Sequence, residues 1–218
     1  MRIKAAVTHA KGEPFVIQDV ELDEPQSGEI LVRIVASGIC HTDEAVQHQF
    51  IPTPLPAVLG HEGAGIVEKV GEGVTEFKKG DRVGISFAFC NTCTNWRKDL
   101  STFFGQSSFA QYAVVNQNHA VKIEYDDVDL AVVAPMGCGI QTGAGAVLNR
   151  LRPEFGSSIA VYGCGTVGMS AIMAARIAGC SQIIAVGGNE KSLELAKELG
   201  ATDTVNRKKV DDLVKEVK

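Results

Sequence analysis

A histidine and a glutamate lie side by side in a glycine-rich stretch at residues 60–65, and both side chains can bind a metal ion. A neutral imidazole is the commonest metal ligand, so His61 is a candidate, although a single histidine between glycines more often binds no metal. Glu62 is a candidate ligand, a supporting carboxylate or a solvated charge, and Cys40 and Cys138 could complete a site with these two residues. Two thiolates and one imidazole, with a fourth position open, are typical of catalytic zinc. Zinc in such a site would lower the pKa of an alcohol and hold it as an alkoxide for hydride loss.

A second glycine-rich stretch, at residues 163–168, has the G-x-G-x-x-G spacing of a dinucleotide-binding turn. It directly follows a predicted apolar strand at 158–162 and directly precedes a predicted helix that runs through Ala178, which is the context in which this motif binds a dinucleotide. The first glycine allows a tight turn, the second lets backbone N–H groups reach a pyrophosphate, and the third lets helix and strand pack closely. The residues predicted here to contact the cofactor are Gly163, Gly165, Thr166, Val167 and Gly168.

The end of the next predicted strand bears on the choice between NAD and NADP. A carboxylate that holds the ribose hydroxyls is expected about 20 residues after the glycine motif. The strand instead ends at Val186 and continues into residues 187–189, which contain no acid. This acid-free loop, which carries the amide of Asn189 and lies next to Lys191, would tolerate a 2′-phosphate and favours NADP, whereas Glu190 could move in and hold the ribose of NAD. Both cofactors are therefore kept, and the further predicted contacts are Gly187, Asn189 and Lys191.

Short strands bounded by glycines and prolines dominate the first part of the chain. The predicted strands are 3–7, 15–20, 30–37, 66–70, 82–87 and 109–115, with a short helix near 43–47. Helices are predicted at 130–134, ending at Pro135, and at 138–151. From residue 158 onward strands and helices alternate in the order β-α-β-α-β, with a third helix at 209–218, which indicates a parallel α/β sheet. The predicted class is α/β, with a β-rich domain at 1–150 and a dinucleotide-binding domain at 151–218.

The composition excludes several classes of protein. Of the 218 residues 45% are hydrophobic and 22% are charged, so the chain should bury a core. A net charge of -5 argues against nonspecific binding to nucleic acid. The N-terminus has no apolar signal-peptide region, and the longest weakly polar run, 131–148, contains Pro135 and four glycines, so no membrane span is expected. Because no signal peptide is expected, the six cysteines are interpreted as metal ligands or free thiols rather than as a disulfide framework. A cytoplasmic location is expected.

The motifs together resemble the zinc-dependent medium-chain alcohol dehydrogenases. The stretch Gly60-His61-Glu62-x-x-Gly65-x5-Gly71-x-x-Val74 is similar to the zinc signature of that family. Residues 38–43, 79–83, 137–139 and 163–168 match other family motifs in the same order. The resemblance implies a GroES-like catalytic domain followed by a Rossmann domain. It also implies reversible hydride transfer between a primary alcohol, aryl alcohols included, and NAD(P)⁺, with the alcohol and the aldehyde as small-molecule partners and a homo-oligomer left open.

The resemblance assigns roles to individual residues. The zinc ligands would be Cys40, His61 and Cys138. Thr42 would take the proton of the alcohol, Asp43 would orient the ligating histidine, Glu62 would support the metal or bind it transiently, and His41 would contact the pyrophosphate. Without the shared order of motifs, Thr42 could simply cap a helix, Asp43 could be an acid favoured by the helix dipole, and Cys138 could be a buried apolar thiol.

Two departures from the family pattern limit these expectations. Cys90 and Cys93 begin what is a four-cysteine lobe in the family, but no further cysteine precedes Cys138, and two thiols cannot close a tetrahedral site. One catalytic zinc ion and no structural zinc are therefore expected. The chain also ends at Lys218, in the third βα unit of a domain type that has six strands, so the Rossmann domain is expected to be partial.

The short second domain leaves an alternative function open. The chain could be a catalytically inactive, truncated remnant that binds zinc or associates with full-length relatives. A zinc-free quinone reductase of the same superfamily is disfavoured, because all three residues of the expected zinc site are present.

Overall fold

The computed structural model describes residues 1–87 and 101–217, and its internal contacts divide the chain into two units. The first unit is Met1–Cys138 and the second is Gly139–Lys218. The domain boundary predicted at residue 150 lies later in the chain than this division and stays a prediction. The predicted class, an α/β chain whose first part is rich in strands, is confirmed.

Short strands form two sheets in the described part of the first unit. The strands are β1 (Arg2–Thr8), β2 (Val16–Glu21), β3 (Glu29–Ser37), β4 (Ala57–Val58), β5 (Gly63–Val70), β6 (Arg82–Ile85), β7 (Ser101–Thr102), β8 (Tyr112–Asn116) and β9 (Ala120–Lys122). One sheet has the order β8-β3-β5-β6-β9, with every neighbouring pair antiparallel. The other has the order β2-β1-β4-β7.

The pairing of β3 with β5 determines where the candidate metal ligands meet. The two strands are antiparallel, and Ser37 at the end of β3 lies opposite Gly63 at the start of β5. Ile30, Val32 and Val67 are fully buried and pack in one core cluster, which holds this register in place. The residues that follow β3 therefore lie beside the residues that precede β5.

Helices are short in the first unit. They are α1 (His41–Gln47) and α2 (Leu130–Val133), with 3₁₀ turns at Gln117–His119 and Ala134–Gly137. The α-helix predicted to stop at Pro135 does end before that residue, since α2 ends at Val133. The chain then continues as a 3₁₀ turn that has Pro135 near its start. Proline suits a first helical turn, because an N–H group at that position has no partner within the helix and proline lacks one. Cys138 directly follows this turn.

The second unit is a three-stranded parallel sheet with helices. Its elements are α3 (Gly139–Gly145), a π-helical turn (Ala146–Leu151), β10 (Ser158–Tyr162), α4 (Thr166–Ile177), β11 (Gln182–Gly187), α5 (Glu190–Leu199), β12 (Asp203–Asn206) and α6 (Leu213–Val217). The order is β10-β11-β12, and both pairs are parallel. Ile172, Ile183, Ala185 and Leu193 form the centre of its core. The helix predicted over 138–151 is confirmed, since α3 continues directly into the π-helical turn and the two together span Gly139–Leu151.

Among the described residues, no single helix is long and apolar enough to cross a membrane. One bent pair, Leu130–Gly137 with Gly139–Leu151, reaches that length and composition only when the two helices are counted together.

Candidate metal centre and nucleotide pocket

Four side chains with metal-binding atoms meet in the first unit. The ligand atoms of Cys40, His61, Glu62 and Cys138 all lie within 4.8 Å of one another. Cys40 follows β3 and His61 and Glu62 precede β5, and the N–H of Gly38 donates to the carbonyl of Glu62 at 2.9 Å to hold the two segments together. His61, Glu62 and Cys138 are buried and Cys40 is half-buried. The strand register and the turn before Cys138 thus bring together residues up to 98 positions apart.

The spacing of these atoms suits a tetrahedral zinc ion. With zinc–sulfur bonds near 2.3 Å and zinc–nitrogen bonds near 2.0 Å, two sulfur ligands of a tetrahedral ion lie about 3.8 Å apart, and sulfur and nitrogen about 3.5 Å apart. The Sγ atoms of Cys40 and Cys138 are 3.9 Å apart, and Sγ of Cys138 is 3.3 Å from Nε2 of His61. The donor set of two sulfurs and one nitrogen is the one that zinc prefers at catalytic sites. The residues present therefore fit zinc in both chemistry and spacing.

Asp43 holds His61 in the orientation that a metal ligand requires. Asp43 is 1% exposed, and its Oδ1 lies 3.0 Å from Nδ1 of His61. The same oxygen accepts the N–H of Gly60 at 3.0 Å, and Oδ2 accepts the N–H of Cys40 at 3.1 Å. A carboxylate with these partners keeps the proton on Nδ1, so that Nε2 faces the thiols with its lone pair free.

The two thiols differ in acidity. Burial raises the pKa of Cys138 far above its usual range, and the nearby Cys40 adds to the shift. Burial acts on Cys40 in the same sense, but hydrogen bonds with Thr42 and His61 outweigh it and lower the pKa of Cys40. Burial lowers the pKa of His61, and the hydrogen bond with Asp43 more than offsets this and raises it. A bound cation would deprotonate both thiols, because the thiolate is the form that binds metal.

The other residues predicted for catalysis lie close to this cluster or at its edge. Oγ1 of Thr42 lies 3.6 Å from Sγ of Cys40, and Thr42 is half-buried. The carboxylate of Glu62 packs over Gly38, where an added Cβ would come within 1.9 Å of Oε2. His41 is exposed at the first position of α1. Cys90 and Cys93, on which the expected absence of a structural zinc depends, lie outside the described residues.

Gln106 supports the site and was not identified from the sequence. It is 2% exposed, its Oε1 accepts the N–H of Gly63 at 3.1 Å, and its Nε2 donates to the carbonyls of His61 at 2.7 Å and Ser86 at 3.2 Å. The amide therefore fixes the backbone on both sides of Glu62. No spacing rule marks a glutamine that acts at a distance of 45 residues.

Aromatic side chains surround His61. The rings of Phe87, Phe103 and Phe104 lie with their centroids 5.6, 5.5 and 5.4 Å from that of His61. Phe103 is buried, whereas Phe104 is 38% exposed. The candidate metal centre is therefore bordered by an apolar, aromatic surface.

The second unit contains a cavity beside the glycine motif. Gly163 has a φ of +98°, and a Cβ on Gly168 would lie 1.8 Å from the carbonyl oxygen of Gly163, so the turn and the start of α4 are in direct backbone contact. At Gly165 the described residues leave open space where a Cβ would stand. The three glycines thus have the geometry that a dinucleotide requires. The cavity has a volume of about 540 Å³ and is lined by Tyr162, Gly163, Cys164, Val186, Gly187, Gly188, Asn189, Ser192, Arg207, Lys208 and Leu213.

The structure places the predicted cofactor residues in three groups. Gly163, Gly187 and Asn189 line the cavity. Gly165 is the N-cap of α4, and Thr166, Val167 and Gly168 form its first turn, which begins beside the cavity. Lys191 does not belong to the residues that line the cavity. Arg207 and Lys208 do line it and were not identified from the sequence, because they follow a strand about forty positions beyond the glycine motif.

Two family models match this chain. The Alcohol dehydrogenase GroES-like domain matches residues 26–125, and the Zinc-binding dehydrogenase model matches residues 166–218. The chain belongs to the zinc-dependent medium-chain alcohol dehydrogenase family. The first match contains Cys40, His61 and Glu62, and the second begins at Thr166, in the glycine motif.

The sequence and the fold are also similar to those of named alcohol dehydrogenases. The chain is 40% identical to geraniol dehydrogenase of Castellaniella defragrans over 99% of its length, and 37% identical to alcohol dehydrogenase class-P of Arabidopsis thaliana over all of it. It spans 66% of each relative. The crystal structure of benzyl alcohol dehydrogenase from Acinetobacter calcoaceticus superposes with a TM-score of 0.90 at 44% identity, covering 97% of this chain and 65% of that one. An alcohol dehydrogenase zinc-binding domain protein from Burkholderia ambifaria gives 0.88 at 44%, with the same coverage.

Proposed function

We propose that this protein is a zinc-dependent alcohol dehydrogenase that transfers a hydride reversibly between a primary alcohol and NAD(P)⁺ to give the aldehyde. The observation that carries the proposal is the meeting of Cys40, His61 and Cys138 at distances that suit a tetrahedral zinc ion. The glycine motif and its cavity in the second unit support a dinucleotide as the hydride acceptor. Relatives named as dehydrogenases do not favour the alternative of an inactive remnant.

Each residue near the cluster has a proposed part in the reaction. Zinc held by Cys40, His61 and Cys138 would supply a Lewis acid that polarises the alcohol oxygen. The hydroxyl of Thr42, next to Cys40, would receive the proton of the alcohol. Asp43 keeps the imidazole of His61 oriented. The buried carboxylate of Glu62 is a further oxygen donor beside the three ligands, and His41 is proposed as a contact for the pyrophosphate.

The aromatic surface supports an apolar substrate, with aryl alcohols as the preferred class. Phe104 is partly exposed and its ring contacts both His61 and Phe87. A flat aromatic ring would gain both apolar burial and edge-to-face contact there. The similarity to proteins named for benzyl alcohol and geraniol supports this preference. A homo-oligomer and a cytoplasmic location stay predictions.

The proposal is tested by measuring zinc content and turnover of the purified chain. We expect a single zinc ion per chain and reduction of NAD(P)⁺ with benzyl alcohol. Cys40→Ser and His61→Ala should lose both zinc and turnover. Cys180→Ser is the matched control, because Cys180 is a half-buried thiol of the second unit, outside the metal cluster. Turnover that survives in Cys40→Ser and His61→Ala would rule out the zinc mechanism.

A further inference from the structure

Two cationic side chains border the nucleotide cavity at the carboxyl ends of its strands. Gly187 of β11 pairs with Asn206 of β12, and the N–H of Arg207 donates to the carbonyl of Gly187 at 2.9 Å. A Cβ on Gly188 would lie 3.2 Å from both Nε of Arg207 and Cε of Lys208. The parallel pairing therefore brings both cations over the glycine that follows β11.

No described acid neutralises these two charges. The residues that line the cavity include no carboxylate, and neither Arg207 nor Lys208 forms an ion pair within residues 1–87 and 101–217. Glu190, the acid closest in sequence to Gly188, is engaged elsewhere: its Oε1 lies 2.8 Å from Nζ of Lys209 and also accepts a hydrogen bond from Asn206. The cavity edge is thus positively charged and has hydrogen-bond donors to offer.

This edge is where a dinucleotide bound at the glycine motif places its adenosine ribose. A carboxylate at this edge accepts hydrogen bonds from the ribose hydroxyls of NAD, whereas an arginine accommodates the 2′-phosphate of NADP. Here the backbone carries Gly187 and Gly188, and the charged neighbours are Arg207 and Lys208. A guanidinium can bind a phosphate through two parallel N–H···O bonds, and a lysine adds a point charge.

We propose that Arg207 and Lys208 bind the 2′-phosphate of NADP(H), so that this chain prefers NADP(H) to NAD(H). The inference rests on the proposed function, since it assumes that the cavity holds a dinucleotide. The hydroxyl of Ser192, which also lines the cavity, is a further donor at the start of α5. A 2′-hydroxyl in place of the phosphate would leave both cations without an anionic partner.

The proposal is tested by calorimetric titration of the 218-residue chain with adenosine 2′,5′-bisphosphate and with adenosine 5′-monophosphate. These probes differ only in the 2′-phosphate and require neither zinc nor turnover. We expect the bisphosphate to bind about tenfold more tightly or better, the effect of one charged hydrogen bond. Arg207→Ala and Lys208→Ala should each remove most of that difference between the two affinities. Arg150→Ala, which removes an exposed arginine outside the cavity lining, should change neither affinity.

A gain of an acid gives an independent check. Gly188 has no left-handed φ, and the three atoms nearest to a Cβ there belong to the side chains of Arg207 and Lys208. Gly188→Asp should pair with these cations and abolish the preference for the bisphosphate while monophosphate binding persists. Equal binding of both probes by the unaltered chain, or a preference that survives in Arg207→Ala and Lys208→Ala, would overturn the inference and leave the proposed function standing. Binding of neither probe would overturn the dinucleotide site itself, and the inference with it.

Discussion

Replacement of Asp43 by asparagine tests whether its carboxylate prepares the metal centre. Asp43 is buried and accepts N–H groups from Cys40, Gly60 and His61. Asparagine has nearly the same shape but only one oxygen, and it carries no charge. If that oxygen stays with His61 and Gly60, the new NH₂ group faces the N–H of Cys40, so two donors meet where a hydrogen bond existed.

The size of the effect follows from these contacts. A hydrogen bond to a charged group contributes about 1.5–3 kcal/mol, against about 1 kcal/mol for a neutral one. Loss of a partner that orients a ligating histidine typically lowers metal affinity by about 10- to 100-fold, or roughly 1.4–2.8 kcal/mol. We expect Asp43→Asn to lower zinc affinity within this range. The unpaired N–H of Cys40 should also destabilise the zinc-free protein by about 1–3 kcal/mol.

The assay is competition for zinc with a chromophoric chelator, together with chemical unfolding of the zinc-free protein. Glu44→Gln is the matched control, because Glu44 is the next acid on α1 and its side chain is exposed. Zinc affinity of Asp43→Asn within about twofold of the unaltered protein, with native circular dichroism, would refute the assigned role.

Other expected outcomes concern packing and pH. Gly168→Ala should destabilise the second unit by about 1–3 kcal/mol, because its methyl group would lie 1.8 Å from the carbonyl oxygen of Gly163; thermal unfolding measures this. Gly165→Ala enters open space, so it should keep the stability and weaken adenosine 5′-diphosphate binding; a large loss of stability there would contradict the account of the turn. Burial alone would raise the pKa of Asp81, but its ion pair with Lys122 at 2.7 Å outweighs burial and lowers the pKa. The carboxylate therefore stabilises the fold at pH values above its unfolded pKa of about 3.9. This stabilisation is lost as the pH falls through the lower pKa of the folded state. Asp81→Asn should therefore be less stable at neutral pH by about 1–3 kcal/mol, and urea unfolding should show this difference vanishing in acid; a difference independent of pH would be inconsistent with the ion pair.

The residue types of the candidate site could be identified from the sequence, whereas their convergence could be predicted only from the family resemblance. Cysteine and histidine mark themselves as ligands by their chemistry, and the glycine motif is recognised by its position between a strand and a helix. Nothing in the spacing of Cys40, His61 and Cys138 places them together. That arrangement depends on the register of β3 with β5 and on the turn before Cys138, which are long-range features. Their roles as zinc ligands stay a prediction, and the structure supplies distances that fit it.

Groups that act through tertiary contact had no signature in the sequence. Gln106 is an ordinary amide until the fold places it between three backbone groups. Arg207 and Lys208 lie in a run of basic residues that reads as a solvated surface. Only the parallel pairing of β11 with β12 brings them to the cavity.

The backbone at Gly188 has a consequence for how this protein can change over evolutionary time. A Cβ gained at Gly188 would have side-chain atoms of Arg207 and Lys208 as its nearest neighbours, whereas one gained at Gly168 would clash with the carbonyl oxygen of Gly163. If Arg207 and Lys208 bind a 2′-phosphate as proposed, single mutations at Gly188 could alter the choice between NADP(H) and NAD(H) without a clash against the backbone. Gly168 has no such freedom, so selection could change the proposed cofactor preference at Gly188 while the close contact between Gly168 and Gly163 stays constant.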